Sequence, residues 1–238
     1  MKYLRLPFRG RFAPIIFALA VAVAPLCAAE THYLPAGQPD AGALLAPPPL
    51  PESPEQAADL AEVQSVFHNT SSNEVAAAFS ERKFNVFNFT PAIGPFFQPG
   101  RFPKTEQFFH NVQKDAEELT DEAKGIWRRP RPFVVDRSMA IGKLEKSFSY
   151  PSGHSTESMV LALVLADMFP DKHDAVLAEA RMIGWHRVEI ARHYPTDIYA
   201  GRVFAQAIVR EMKKSPQYQA DFAASKAEIT ASQQASRN

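Results

Sequence analysis

The chain of 238 residues has a single cysteine, Cys27. One thiol close to the N-terminus excludes an internal disulfide framework, so the fold must rest on its core. Excess charge is missing too. The 26 Lys+Arg balance 26 Asp+Glu, which removes the electrostatic signature of a nucleic-acid partner. Beyond the first thirty or so residues no stretch approaches the roughly eighteen apolar residues of a membrane span. The best, residues 159–168, is short and contains Asp167. Strand alternation bounded by turn signals is absent, as is any internal repeat. No carboxylates and histidines cluster as a metal site would require. What is present is an apolar share of 46%, enough for one sizeable core.

The N-terminus carries Lys2, Arg5, Arg9 and Arg11 with no acidic residue, then an apolar run from Phe12 to Ala24 broken at Pro14. Cys27 and Ala29 supply small residues at the −3 and −1 positions of a cleavage site. This predicts a secretory signal peptide over residues 1–29 and a periplasmic or secreted protein. An uncleaved anchor is the alternative, although the run is short and ends at Pro25. Cleavage takes four basic residues from a balanced chain, leaving a formal charge of −4 and no cysteine. The mature chain would then have no stable membrane span.

Residues 30–56 are rich in Pro, Ala and Gly around Pro47-Pro48-Pro49 and read as an extended strap. Residues 57–238 form the helical domain. Ser53 and Pro54 mark a helix start, continuing through 57–67. Further helices are expected over 74–83, 105–126, 155–169, 174–191 and 196–214, with a last one after Gln217 that frays. The fold class is all-α, a bundle of about six or more helices. Between them, residues 84–103 hold four prolines and six phenylalanines. They read either as a loop pinned to the core or, through Phe96 and Phe97, as a lid over a site.

Three segments carry chemistry. The first runs from Lys124 to Arg131-Pro132; its cations suit a phosphate, or else form a solvated basic face with Trp127 packed on an arginine stem. The second, Pro151-Ser152-Gly153-His154, precedes an apolar helix. There free N–H groups and the helix dipole favour an anion, and glycine lets it come close. The third holds Arg187, His193 and Asp197. A carboxylate four residues beyond a histidine can accept one ring proton and leave the other nitrogen as nucleophile. The plainer reading makes both residues helix caps.

In this order and spacing the segments resemble the type 2 phosphatidic acid phosphatase (PAP2) superfamily and, within it, the bacterial class A non-specific acid phosphatases. The Lys-x6-Arg-Pro, Pro-Ser-Gly-His and Arg-x5-His-x3-Asp motifs fall on Lys124, Arg131, Pro132, 151–154, Arg187, His193 and Asp197. His186 stands where that family usually has serine. The Leu-Leu-x-Pro-Pro-Pro strap at 44–49 is similar as well. The resemblance implies a PAP2/haloperoxidase-like fold and hydrolysis of small phosphomonoesters without metal or cofactor. In it His193 is the nucleophile, oriented by Asp197, and His154 the acid and then the base. Lys124, Arg131, Ser152, Gly153 and Arg187 bind the phosphate. Homo-oligomers are an expectation by the same analogy. Competing readings are a lipid-phosphate or polyphosphate phosphatase, a vanadium-dependent haloperoxidase and a non-catalytic phosphate-binding module. His32, His68, His110 and His173 are expected at the surface or in packing, and His186 beside the site.

Overall fold

Ser53 and Pro54 open the first long helix, α1 (Pro54–Asn69). The serine hydroxyl accepts the Gln56 N–H at 3.1 Å, and the proline sits in the first turn, where its missing donor costs nothing. The computed structural model describes residues 31–235, so the expected signal segment lies outside the described residues. Six more helices of nine residues or longer follow. They are α2 (Ser72–Ser80), α3 (Pro103–Trp127), α4 (Gly153–Met168), α5 (His173–Glu189), α6 (Pro195–Met212) and α7 (Pro216–Ala235). Shorter helical turns fill some connections, and no strand occurs among the described residues. The class is all-α.

Helix boundaries shift by a few residues from the sequence expectation. α2 begins at Ser72 because Ser71 and Glu74 form a capping box, each side chain taking the other's backbone N–H at 3.3 and 2.7 Å. The last helix, α7, begins at Pro216. It runs to Ala235 and buries Tyr218, Ser225 and Ile229. It also completes α3, which has no N-cap side chain of its own. Glu228 accepts the Lys104 and Thr105 N–H groups at 3.1 and 2.9 Å.

α4 is the central helix. Val160, Leu161, Ala162, Val164 and Leu165 are fully buried, as suits a helix apolar on all sides. α3, α5 and α6 pack around it. The α5 and α6 crossings are close because glycines meet its first turn. A Cβ on Gly184 would lie 3.2 Å from Ser155 Oγ, and one on Gly201 only 2.9 Å from the Ser152 carbonyl oxygen. This contact brings the start of α4 against α6. The start of the strap docks on α3, where buried Asp115 accepts the His32 and Tyr33 N–H groups at 2.7 and 2.8 Å.

The aromatic loop belongs to the core. Phe84, Phe89, Phe97 and Phe102 are buried, and Phe96 packs edge-on to Phe102 and Phe169 at 6.4 and 6.3 Å. The lid reading of Phe96 and Phe97 is therefore corrected: both rings face other phenylalanines, where burial of their area stabilises the fold. Trp127 likewise packs edge-on to Tyr150 at 5.0 Å. Among the described residues, no helix is long and apolar enough to cross a membrane.

Replacing Gly201 with Ala puts a methyl group against backbone that cannot yield. Overpacking there should cost roughly 1–3 kcal/mol in urea unfolding. Unchanged stability would mean that the α4–α6 approach is not set by this glycine.

Candidate active site

The first turn of α4, the turn between α5 and α6, and the last turn of α3 converge on one cavity of about 210 Å³. Lys124, Arg131, Gly153, His154, Arg187 and His193 all line it. Asp197 and Ser152 are fully buried behind this wall.

The α5–α6 turn fixes the third segment. Ala191 takes the left-handed conformation (φ 53°), and the Arg187 carbonyl accepts the N–H groups of Arg192 and His193 at 2.8 and 3.2 Å. α6 then starts at Pro195, with Asp197 in its first turn accepting the Tyr194 N–H at 2.9 Å. That turn places His193 Nδ1 3.4 Å from Asp197 Oδ2. Its Nε2 lies 3.1 Å from Arg131 Nη1, an obligate donor, so Nε2 presents its lone pair and the proton sits on Nδ1. Burial, then the Arg131 charge, pushes the His193 pKa down to about 3. The ring is neutral over any ordinary working pH. Burial alone would raise the Asp197 carboxyl, but hydrogen bonding from His193 and the Arg129 charge hold it below its usual value.

Asp197 is held from behind by a chain of charges that sequence reading missed. Arg129 Nη1 donates to Asp197 Oδ1 at 2.6 Å, and its Nη2 donates to Asp59 Oδ2 of α1, also at 2.6 Å. The guanidinium lies 3.8 Å over the Tyr194 ring. Ser149 Oγ donates to Asp197 Oδ2. Arg129 is thus not part of a solvated basic face. In that cluster only Arg128 is exposed, while Lys124, Arg129 and Arg131 are buried. Nothing in the local pattern separates Arg129 from Arg128, because its partners lie about seventy residues away in both directions.

The other cations are equally fixed. Arg131 donates from Nε to the Ser147 carbonyl at 2.8 Å and from Nη1 to the Arg192 carbonyl at 2.9 Å. Arg187 is tied through Nη2 to the Ala78 carbonyl and lies 3.4 Å from Glu81, which pairs with His186 Nδ1 at 2.8 Å. His186, in the place of the family's serine, thus acts on Arg187 through a shared carboxylate. Burial lowers the Arg187 pKa to about 10, still cationic at neutral pH. Lys124 Nζ rests on Asp121 at 2.7 Å.

His154 packs on Phe84 at 5.3 Å between ring centroids. Burial, with Arg187 and His193 adding, holds its pKa well below the ordinary value. Its Nε2 and Arg187 Nε are both buried without a hydrogen-bond partner. Polar atoms left so beside the cations of the cavity are groups an anion would satisfy. Ser152 differs from expectation. Its N–H already donates to the Asp197 carbonyl at 3.1 Å, and its hydroxyl caps α4 by accepting the Ser155 N–H at 3.3 Å. The backbone donor expected there is committed to positioning α4 on α6. Among the described residues no group of three or more His, Cys, Asp or Glu could hold a metal ion.

An all-helical domain that gathers such groups around one small cavity has the build of a helical-class phosphatase. The PAP2 superfamily model matches residues 110–221, which include every motif position named above. The non-specific acid phosphatase of Providencia stuartii is 31% identical over 211 residues, 84% of this chain and 85% of its own length. That of Salmonella typhimurium is 26% identical over 228 residues, 90% of this chain and 91% of its own. The transmembrane PAP2 type phosphatidylglycerolphosphate phosphatase from Bacillus subtilis shares the fold at TM-score 0.50. It is 19% identical, and the match covers 73% of this chain and 89% of that one. The chain belongs to the PAP2 superfamily.

Removing Arg129 leaves Asp59 and Asp197 buried without their cation. Arg129→Met should cost roughly 3–5 kcal/mol in denaturant unfolding. A loss below about 1 kcal/mol would show that the two carboxylates do not depend on it.

Proposed function

We propose that the protein is an exported, metal-independent acid phosphatase that hydrolyses small phosphomonoesters through a phosphohistidine. The observation that carries this reading is the orientation of His193. Its Nδ1 faces the buried Asp197 carboxylate, while its Nε2 lone pair faces Arg131 in the cavity. A module that only bound phosphate would use the cations and have no need of that pair. Export rests on the basic, apolar N-terminal segment.

In the first step His193 Nε2 attacks phosphorus and the bond to the leaving oxygen breaks, with His154 giving that oxygen its proton. The imidazole becomes cationic, and Asp197 meets the new charge at Nδ1. Lys124, Arg131 and Arg187 take up the charge spread over the phosphoryl oxygens, which is most of what phosphoryl transfer demands. In the second step neutral His154 removes a proton from water as it attacks phosphorus, and the P–N bond breaks to free His193. The acid His154 is the harder role to fill. Burial and the Arg187 charge hold its pKa well below the ordinary value and keep it neutral. A bound phosphoryl dianion offsets those charges and favours the protonated ring.

Two outcomes follow. Rapid quench of full-length protein with a phosphomonoester, in EDTA, should trap acid-labile phosphate on His193, and His193→Ala should lose turnover while still binding phosphate. No phosphoenzyme, or a need for added divalent ion, would reject the mechanism. The alkaline limb of kcat should lie at higher pH than that of kcat/KM, since the complex and the free enzyme report different His154 environments. Coincident limbs would mean that bound substrate does not recharge His154.

A further inference from the structure

Four acidic side chains line the cavity, Glu117, Asp121, Glu145 and Glu157, and of these Glu157 lies on the helix that carries His154. Glu157 stands about one turn along α4 from His154. It lines both the catalytic cavity and a groove of about 370 Å³ that continues past His154 and Phe84. Its Oε2 accepts the Gln113 amide at 3.1 Å. Its Oε1 reaches back beside the start of α4, where a Cβ on Gly153 would lie 3.3 Å from Oε1 and 3.5 Å from Lys124 Nζ. A carboxyl oxygen and an ammonium therefore flank the same empty point, the space that glycine leaves for an incoming oxygen.

We propose that Glu157 in its neutral acid form is part of the phosphate site, its O–H donating to a phosphoryl or leaving-group oxygen, and that its ionisation closes the cavity to dianions. This rests on the reading that the cavity takes a phosphoryl group. The surroundings of Glu157 are mixed in charge. α3 presents His110, Lys114, Glu117, Asp121 and Lys124 along the groove and cavity. The loop before Phe84 adds Arg82 and Lys83, α4 adds His154, and Arg131, Glu145, Arg187, Arg192 and His193 close the far wall. Burial, supported by Glu117 and Asp121, lifts the carboxyl to about 7, against the Gln113 hydrogen bond and Lys124. Below that value the acid is neutral and can donate; above it a carboxylate faces the incoming anion. Affinity for a dianion must therefore fall as pH rises.

Sulfate separates this effect from substrate ionisation, because it stays a dianion throughout. Its affinity for the full-length protein would be titrated from about pH 6 to 8, one unit either side of the Glu157 midpoint. The comparison is with Glu157→Gln, which cannot ionise, and with Gln113→Met, which removes a hydrogen bond that favours the carboxylate. Wild-type affinity should fall about tenfold more over that range than that of Glu157→Gln. In Gln113→Met the fall should begin at higher pH. Equal slopes in wild type and Glu157→Gln overturn the role of Glu157, as does an unshifted fall in Gln113→Met. Sulfate binding needs no turnover, so a missing phosphohistidine would leave the result standing, and equal slopes would leave the phosphohistidine standing.

Discussion

The rest of the site depends on one buried cation. Arg129 binds Asp59 of α1 and Asp197 of α6 at the same distance, 2.6 Å, and lies over the Tyr194 ring. Its partners come from two stretches of chain far from its own, so the charges cannot be satisfied until all three are assembled. A buried ion pair is weak evidence for stability, but breaking one is costly, and that asymmetry favours a single arrangement. The arrangement matters because Asp197 sets the ring of His193. The imidazole is thus oriented by groups three residues removed from any substrate: Asp197, then Arg129, then Asp59.

The cavity itself balances charge instead of accumulating it. Lys124 rests on Asp121, Arg187 lies near Glu81, and Arg192 Nε is 2.7 Å from Glu145. Each cation keeps a partner in the empty state, which lowers the cost of burying it. The buried nitrogens without a hydrogen bond are more telling, among them His154 Nε2 and Arg187 Nε in the cavity wall. Such a site attracts an anion through a small number of unmet hydrogen bonds. Gross positive potential is not required, in keeping with a chain of no net charge.

Much of this was legible in the sequence. Lys124, Arg131, Gly153, His154, Arg187 and His193 line one cavity, with Asp197 and Ser152 behind its wall, because the turns that place them are local. Helix starts at Ser53 and Ser152, the proline at the head of α6 and the four-residue step from His193 to Asp197 all act within a turn or two. What was not legible acts across the fold. Arg129 cannot be told from Arg128 by its neighbours, and Asp59, Glu81, Ser149 and Glu157 carry no motif. Ser152 shows the same limit from the other side. Its residue type was right for an anion site, but its N–H is taken by the Asp197 carbonyl, 45 positions along the chain. Phe96 and Phe97 were ambiguous because an aromatic loop reads alike whether it covers a site or fills a core.

α3 is completed by the two ends of the described chain. Asp115 in its middle receives the N–H groups of His32 and Tyr33, its first turn is capped by Glu228, and Tyr33 itself donates to Asp221 across 188 positions. A chain synthesised from its N-terminus therefore holds an uncapped α3 for most of its emergence. The helix that carries Lys124 acquires its last hydrogen bonds only when the final helix has been made. Contacts of such long separation form late and slow the assembly of a domain. The cap of α3 is thus supplied by a glutamate 123 positions along the chain, at the opposite end of the helix from Lys124.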